Sequence, residues 1–167
     1  SLGLLHEEGR GVEQDDAVAV ALYRQSCDGG GARGCTLLGW MFSNGRGVET
    51  DDARAASLYR RACDDGHALG CTYLGSMHHD GQGVEEDHTL AASFFRRGCE
   101  AGNEGACTSV AWQHEHGDGV EEDAVLAATY YQRGCDGGDA RACANLGWLY
   151  RSGQGVEQND ERGVALY

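Results

Sequence analysis

Apolar and small residues along this chain fall into two alternating patterns that predict pairs of helices. From Ala32 to Ser43, the residues Cys35, Leu38, Gly39 and Phe42 lie at i, i+3, i+4 and i+7, one face of a helix, and Gly45 stands just past its end, where a left-handed cap is wanted. This stretch is helix A. The polar turn Gly45-Arg46-Gly47-Val48 follows, its two glycines permitting positive φ and its valine free to tuck under the next helix. Asp51 is placed to cap a second helix, B, on which Asp51, Ala55, Tyr59 and Cys63 repeat at i, i+4 and form a stripe of cap, small residue, aromatic and cysteine. Ala55 and Ala91, set against Gly39 and Gly75 of helix A, predict close approach of two helix backbones, and Gly66, Gly102 and Gly138 terminate helix B.

The same pattern returns along the whole chain. The stripe recurs as Asp15/Ala19/Tyr23/Cys27, Asp87/Ala91/Phe95/Cys99 and Asp123/Ala127/Tyr131/Cys135, and Gly9 to Glu13 recurs at Gly45, Gly81, Gly117 and Gly153, each copy displaced by 36 residues. Self-similarity at such a period predicts an all-α fold, an α-solenoid of about four and a half 36-residue helix-turn-helix units. The expected units of this single solenoid domain are 1–31 (partial), 32–67, 68–103, 104–139 and 140–167 (partial). Because the pattern is cut at both ends, the sequence reads as a fragment of a longer array, and the lack of a signal peptide at Ser1 carries no information on targeting.

The cysteines add a covalent layer. Cys27/Cys35, Cys63/Cys71, Cys99/Cys107 and Cys135/Cys143 share one frame with seven residues between partners, so repeat symmetry favours pairing within each frame. Structural zinc prefers closer pairs and four ligands per ion, which argues against a metal reading. A local bond would join the last turn of one helix B to the first turn of the next helix A. Disulfides persist outside the reducing cytosol and predict a secreted or periplasmic protein.

Charge narrows the partners. With 13 basic and 27 acidic residues the net charge is −14, every basic residue being Arg, which disfavours nucleic acid and anionic membrane surfaces and suits a cationic or polar partner or a solubilising surface. No apolar run approaches the roughly 20 residues of a transmembrane segment.

Ala62-Cys63, Cys71-Thr72-Tyr73-Leu74-Gly75, Gly81-Gln82-Gly83-Val84 and Asp87, repeated in register over the whole chain, resemble the Sel-1-like repeats, a tetratricopeptide-like family, and in particular its cysteine-rich bacterial branch typified by the Helicobacter cysteine-rich proteins. That resemblance implies a right-handed superhelix of helix pairs, a secreted or periplasmic location, and cysteines paired within each frame. It also implies a non-enzymatic scaffold for protein–protein interaction, with a peptide or protein bound on the concave helix A face. Members of the cysteine-rich branch have been associated with penicillin binding and weak β-lactamase activity, so the alternative is a protein that binds β-lactams or peptidoglycan fragments from the cell wall, with weak β-lactamase-like hydrolase activity. The chain has no Lys, so neither a Ser-x-x-Lys pair nor a Lys-Thr-Gly element exists, and no catalytic residue and no cofactor are assigned.

By tetratricopeptide-like geometry counted from Leu38-Gly39, the concave positions are Arg33, Thr36, Trp40, Ser43 and Asn44, and in later units Leu69, Thr72, Ser76, His79, Asp80, Gly105, Thr108, Trp112, Glu115, His116, Arg141, Ala144, Trp148, Arg151 and Ser152. The partner-binding candidates are Arg33, Trp40, Ser43, Asn44, His79, Asp80, Trp112, Glu115, His116, Arg141, Trp148 and Arg151. All three tryptophans, Trp40, Trp112 and Trp148, occupy one equivalent position, with Leu4 and Ser76 completing the series. They either anchor a partner or pack between neighbouring A helices. His79 and His116 suggest a metal site, but without a complete ligand set His78 and His114 read as half-buried aromatics and His79 and His116 as surface polar residues. The pairs Arg60/Arg61 and Arg96/Arg97 lie in the last turn of helix B, where cations favour the carbonyl end of the helix dipole.

Overall fold

The 36-residue period appears in the computed structural model as alternating helices. It describes residues 2–9 and 13–167, so the first copy of the glycine turn, at Arg10 to Val12, lies outside the described residues. Among the described residues there are ten helices and no strand: α1 Leu2–Glu8, α2 Asp16–Asp28, α3 Ala32–Asn44, α4 Asp52–Asp64, α5 Ala68–Asp80, α6 His88–Glu100, α7 Glu104–His116, α8 Ala124–Asp136, α9 Ala140–Ser152 and α10 Asp160–Ala165. Odd helices are the predicted A helices and even ones the B helices, which makes the chain an all-α solenoid fold. No helix is long and apolar enough to cross a membrane among the described residues. The chain divides into two compact units, Ser1–Glu86 and Asp87–Tyr167.

Both ends of each helix are specified locally. The side chains of Asp15, Asp51, Asp87 and Asp123 accept from the amides of Val18, Arg54, Leu90 and Leu126, satisfying donors that the first turn of a B helix leaves without partners. At the far end of the A helices Gly45, with φ of 64°, takes the left-handed conformation, and the next amide, Arg46 N, returns to Met41 O at 3.0 Å. The B helices finish in the same six-to-one closure, with His67 N bonded to Ala62 O at 2.9 Å.

The predicted stripe is the core. Ala55, Tyr59 and Cys63 are buried in the first unit, and Ala91, Phe95, Cys99, Ala127 and Tyr131 in the second. A β-carbon at Gly39 would lie 2.8 Å from the Tyr59 ring, so the missing side chain on helix A is what seats the aromatic of helix B. Four disulfides, Cys27–Cys35, Cys63–Cys71, Cys99–Cys107 and Cys135–Cys143, tie each B helix to the A helix after it, with Cα atoms 4.5 to 4.6 Å apart. Closing so short a loop contributes about 2 to 4 kcal/mol per bond. The covalent ties fit an oxidising, extracytoplasmic environment.

Successive repeats are joined by a set of contacts that itself repeats. The second glycine of each turn lies on the first residues of the preceding B helix: a β-carbon at Gly47 would fall 2.5 Å from the carbonyl carbon of Asp16 and 2.9 Å from Ala17 N. Gly119 meets His88 and Gly155 meets Ala124 in the same way. The residue between the glycines pairs with the same helix start. Arg46 clasps Asp16 through two bonds of 3.1 and 2.7 Å, Gln82 donates to Asp52 at 3.1 Å, and Asp118 takes His88 Nδ1 at 2.5 Å. Arg61 donates to Cys27 O at 2.7 Å and Arg133 to Cys99 O at 2.9 Å, so these arginines cap the carbonyl end of the preceding B helix rather than merely facing their own dipole. One position departs from the pattern: Gln113, 1% exposed, stands where other units have Met41, Met77 and Leu149. Its amide nitrogen reaches His88 O at only 3.5 Å, and its buried oxygen has no hydrogen-bond partner among the described residues.

Two outcomes follow. Gly66 has φ of 81° with open space around it, whereas Gly47 has φ of 68° against backbone. Gly66→Ala should therefore cost only the left-handed penalty, about 1 to 2 kcal/mol, and Gly47→Ala clearly more, measured as a larger drop in melting temperature. Gln113→Met should raise the melting temperature, since it removes a buried unsatisfied oxygen that costs about 1 kcal/mol or more.

Candidate functional site

The A helices carry the positions predicted to vary on the binding face, and the structure sorts them by what they touch. In the first unit, helices α1, α3 and α5 enclose a cavity of about 390 Å³ lined by Leu4, Glu7, Arg33, Thr36, Leu37, Trp40, His67, Leu69 and Tyr73. Arg33 and Trp40, two of the predicted site residues, meet here, together with the predicted groove positions Thr36 and Leu69. Leu4, Glu7, Leu37, His67 and Tyr73 were not among the candidates. Leu4 was legible as the register equivalent of Trp40, whereas His67 and Tyr73 carry no periodic signal, because each reaches the cavity by its place on the neighbouring helix.

Polar groups around the cavity are ordered. The Thr36 hydroxyl bonds Ala32 O at 3.1 Å and meets His67 Nδ1 at 2.9 Å. With the hydroxyl proton directed to Ala32, the imidazole donates through Nδ1. Burial and then the nearby Arg33 charge hold the His67 pKa below its ordinary value, so the ring is neutral at neutral pH. Glu7 accepts from the Tyr23 hydroxyl at 2.5 Å and pairs with Arg46 at 3.2 Å, while the Arg46 guanidinium lies 5.3 Å over the Trp40 ring. The hydrogen bond to Asp16 pushes the Arg46 pKa further up.

In the second unit the tryptophans face solvent. Trp112 and Trp148 are 41% and 47% exposed, so neither is packed away between helices, whereas Trp40 in the first unit is half-buried against the neighbouring A helices. His116 stacks on Trp112 with ring centroids 4.5 Å apart and its Nδ1 meets Trp112 O at 2.9 Å. Arg141 and Arg151 are exposed, Arg141 pairing with Asp139 at 3.5 Å.

Other candidates are engaged within their own repeats. Glu115 accepts from the Tyr131 hydroxyl at 2.5 Å, which together with burial drives that phenol pKa up. Glu7 and Tyr23 repeat this bond at the same 16-residue separation, a coincidence visible in the sequence. His79 pairs with Asp80 at 2.8 Å, Asn44 donates to Trp40 O at 2.9 Å, and Ser43 is half-buried beside them in sequence. His6, His78 and His114 set Nδ1 against the turn carbonyls of Glu13, Glu85 and Glu121, so these histidines close turns.

A stack of helix hairpins with a variable, partly aromatic A face defines the α-solenoid class of repeat proteins. The chain belongs to the Sel1 repeat family, which matches residues 1–31, 32–67, 68–103, 106–139 and 140–167. It is similar to the solved structure of c5321, a protective antigen of uropathogenic Escherichia coli displaying an SLR fold, at 30% identity and a TM-score of 0.94, covering 99% of this chain and 35% of that one. A Sel1 repeat protein from Oxalobacter formigenes is 27% identical with a TM-score of 0.91, covering 99% of this chain and 68% of that one. Helicobacter pylori cysteine rich protein B shares the fold at 23% identity and a TM-score of 0.66, over 80% of this chain and 96% of that one. The chain thus spans about a third of the length of c5321. No curated protein matches it.

The cap of α9 in the second unit carries a pH dependence. Burial alone would raise the Asp139 pKa, but bonds from the Thr108 hydroxyl at 2.6 Å and from the Arg141 amide and guanidinium outweigh it and hold the carboxylate below its ordinary 3.8. The folded value lies below the unfolded one, so this stabilisation is complete above 3.8 and is lost as pH falls through the folded value. Asp139→Asn keeps a capping oxygen, as Asn103 does on α7, and should leave the melting temperature at neutral pH little changed while reducing its loss below about pH 4.

Proposed function

We propose that the chain is a non-enzymatic scaffold that binds a peptide or protein partner along its helix A face, the face expected to be concave, in a secreted or periplasmic setting. The observation that supports this most is the treatment of tryptophan. The chain has three, all at one register position, and the core is filled without Trp112 or Trp148. Large aromatics left in water on a disulfide-tied frame are what an interface anchor requires, since they order few torsions on binding and bury much area.

The face is also less acidic than the rest. Of the net charge of −14, little falls on the predicted concave positions, where Asp80 and Glu115 are set against Arg33, Arg141 and Arg151. A neutral or mildly anionic peptide therefore suits this face better than the cationic partner that the overall charge suggests. Binding of β-lactams or peptidoglycan fragments, with hydrolysis, rests on family resemblance alone.

The test is a double variant, Trp112→Ala with Trp148→Ala. Both side chains are exposed, so the melting temperature should change by less than about 1 kcal/mol equivalent, while partner capture from an extracytoplasmic extract, quantified by cross-linking, should fall at least tenfold. A collapse in melting temperature, or unchanged capture, overturns the proposal.

A further inference from the structure

The cavity of the first unit has a chemistry of its own. Its acid is already neutralised: Glu7 is held by the Tyr23 hydroxyl and Arg46, and Arg46 is in turn saturated by Asp16 and Glu7. Its cation is not. Arg33 is exposed and, like Arg24, Arg96 and Arg151, has no carboxylate partner among the described residues, but it is the arginine that lines this cavity. The imidazole beside it, His67, is neutral and adds no competing charge. Apart from Thr36, whose hydroxyl is taken by Ala32 O and His67, the remaining lining is largely apolar. Leu4, Leu37, Trp40 and Tyr73 form the walls, and Leu69, 41% exposed, stands at the rim.

We propose that this cavity binds a small amphipathic carboxylic acid, its carboxylate on the Arg33 guanidinium and its apolar body among Leu4, Trp40, Leu69 and Tyr73. The volume, about 390 Å³, falls in the range of small-ligand sites and accepts a branched aliphatic or single-ring body. A guanidinium presents paired donors that match a carboxylate, and the apolar walls lower the local dielectric, which strengthens that pairing relative to open surface. The electrostatic asymmetry sets the sign of the ligand: a cationic head group would meet Arg33 with no available carboxylate, while an anion meets a donor with nothing to displace but water. An apolar amide would retain the wall contacts and lose the ion pair. The cavity lies on the helix A face proposed above for the partner, where Arg33 and Trp40 are candidates too, but Trp112 and Trp148 contribute nothing to it, so the two tests are independent.

The same chemistry is carried by free apolar acids and by the apolar last residue of a peptide, and the probes separate them. N-acetyl-L-leucine, N-acetyl-L-leucinamide and a hexapeptide ending in leucine with a free carboxylate are titrated into the intact oxidised protein by two-dimensional NMR. The acid should bind saturably with Kd on the order of 1 mM, shifting resonances of Arg33, Trp40, His67 and Leu69, and the amide should bind at least tenfold more weakly. Arg33→Gln should reduce the affinity of the acid to that of the amide without moving the melting temperature, because the guanidinium has no structural partner to lose. Leu69→Ala should weaken acid and amide by a similar factor. A hexapeptide that binds as well as the acid identifies the ligand as a chain end, and one that does not bind identifies a free acid; both support the carboxylate site. Equal affinity for acid and amide, an unchanged affinity in Arg33→Gln, or shifts confined to other residues overturns it.

Discussion

The fold depends on backbone coming within contact distance of backbone at the second glycine of each turn. At Gly47, Gly119 and Gly155 the turn of one repeat rests directly on the first peptide groups of the B helix before it, leaving no room for a β-carbon. That contact fixes the distance between neighbouring repeats, and everything else at the junction is measured from it. Arg61 and Arg133 reach Cys27 O and Cys99 O only because the repeats are this close, and the Thr36–His67 and Thr108–Asp139 bonds span the A helices for the same reason. A solenoid has no single core to enforce such geometry, so the enforcement is distributed, one glycine per junction.

Within that frame, stability and the recognition proposed above fall on different helices. The B helices hold the stripe of alanine, aromatic and cysteine that barely changes between repeats, and the disulfides join each to the next A helix. The A helices spend one side on this stripe and leave the other variable. Trp112 and Trp148 therefore sit on elements whose position is set by bonds to which they do not contribute, which is the condition for changing a binding surface without losing the fold.

Helices, caps and the local cystine frames were legible in the sequence because each is a property of one repeat read along its own period. The Asp51 cap, the left-handed Gly45 and the buried Ala55-Tyr59-Cys63 face are all decided by neighbours within a few residues. Bonds between repeats were not legible, because a period repeated in one chain shows that residues are equivalent and not which of them touch. The arginines of helix B looked like complements to a helix dipole, yet Arg61 and Arg133 bond a neighbour's carbonyl. Nor did the period show that Glu115 accepts from the Tyr131 hydroxyl. The histidines His78 and His114 read as half-buried aromatics, and the period did not show that each also holds a turn carbonyl.

The pairing of each turn with the helix before it also bears on how such an array can change over time. Arg46 faces Asp16, Gln82 faces Asp52 and Asp118 faces His88, so the middle residue of the turn and the first residue of the preceding B helix match in charge or polarity at each of these junctions. Recombination that placed the repeat containing Asp118 behind one whose B helix begins with Asp16 or Asp52 would set two carboxylates against each other at close range. The order of repeats is thus written into their seams. Copies can diverge freely on the A face, but shuffling them would be penalised, and a duplication persists only where the new seam is neutral, as the Gln154 and Ala124 combination is.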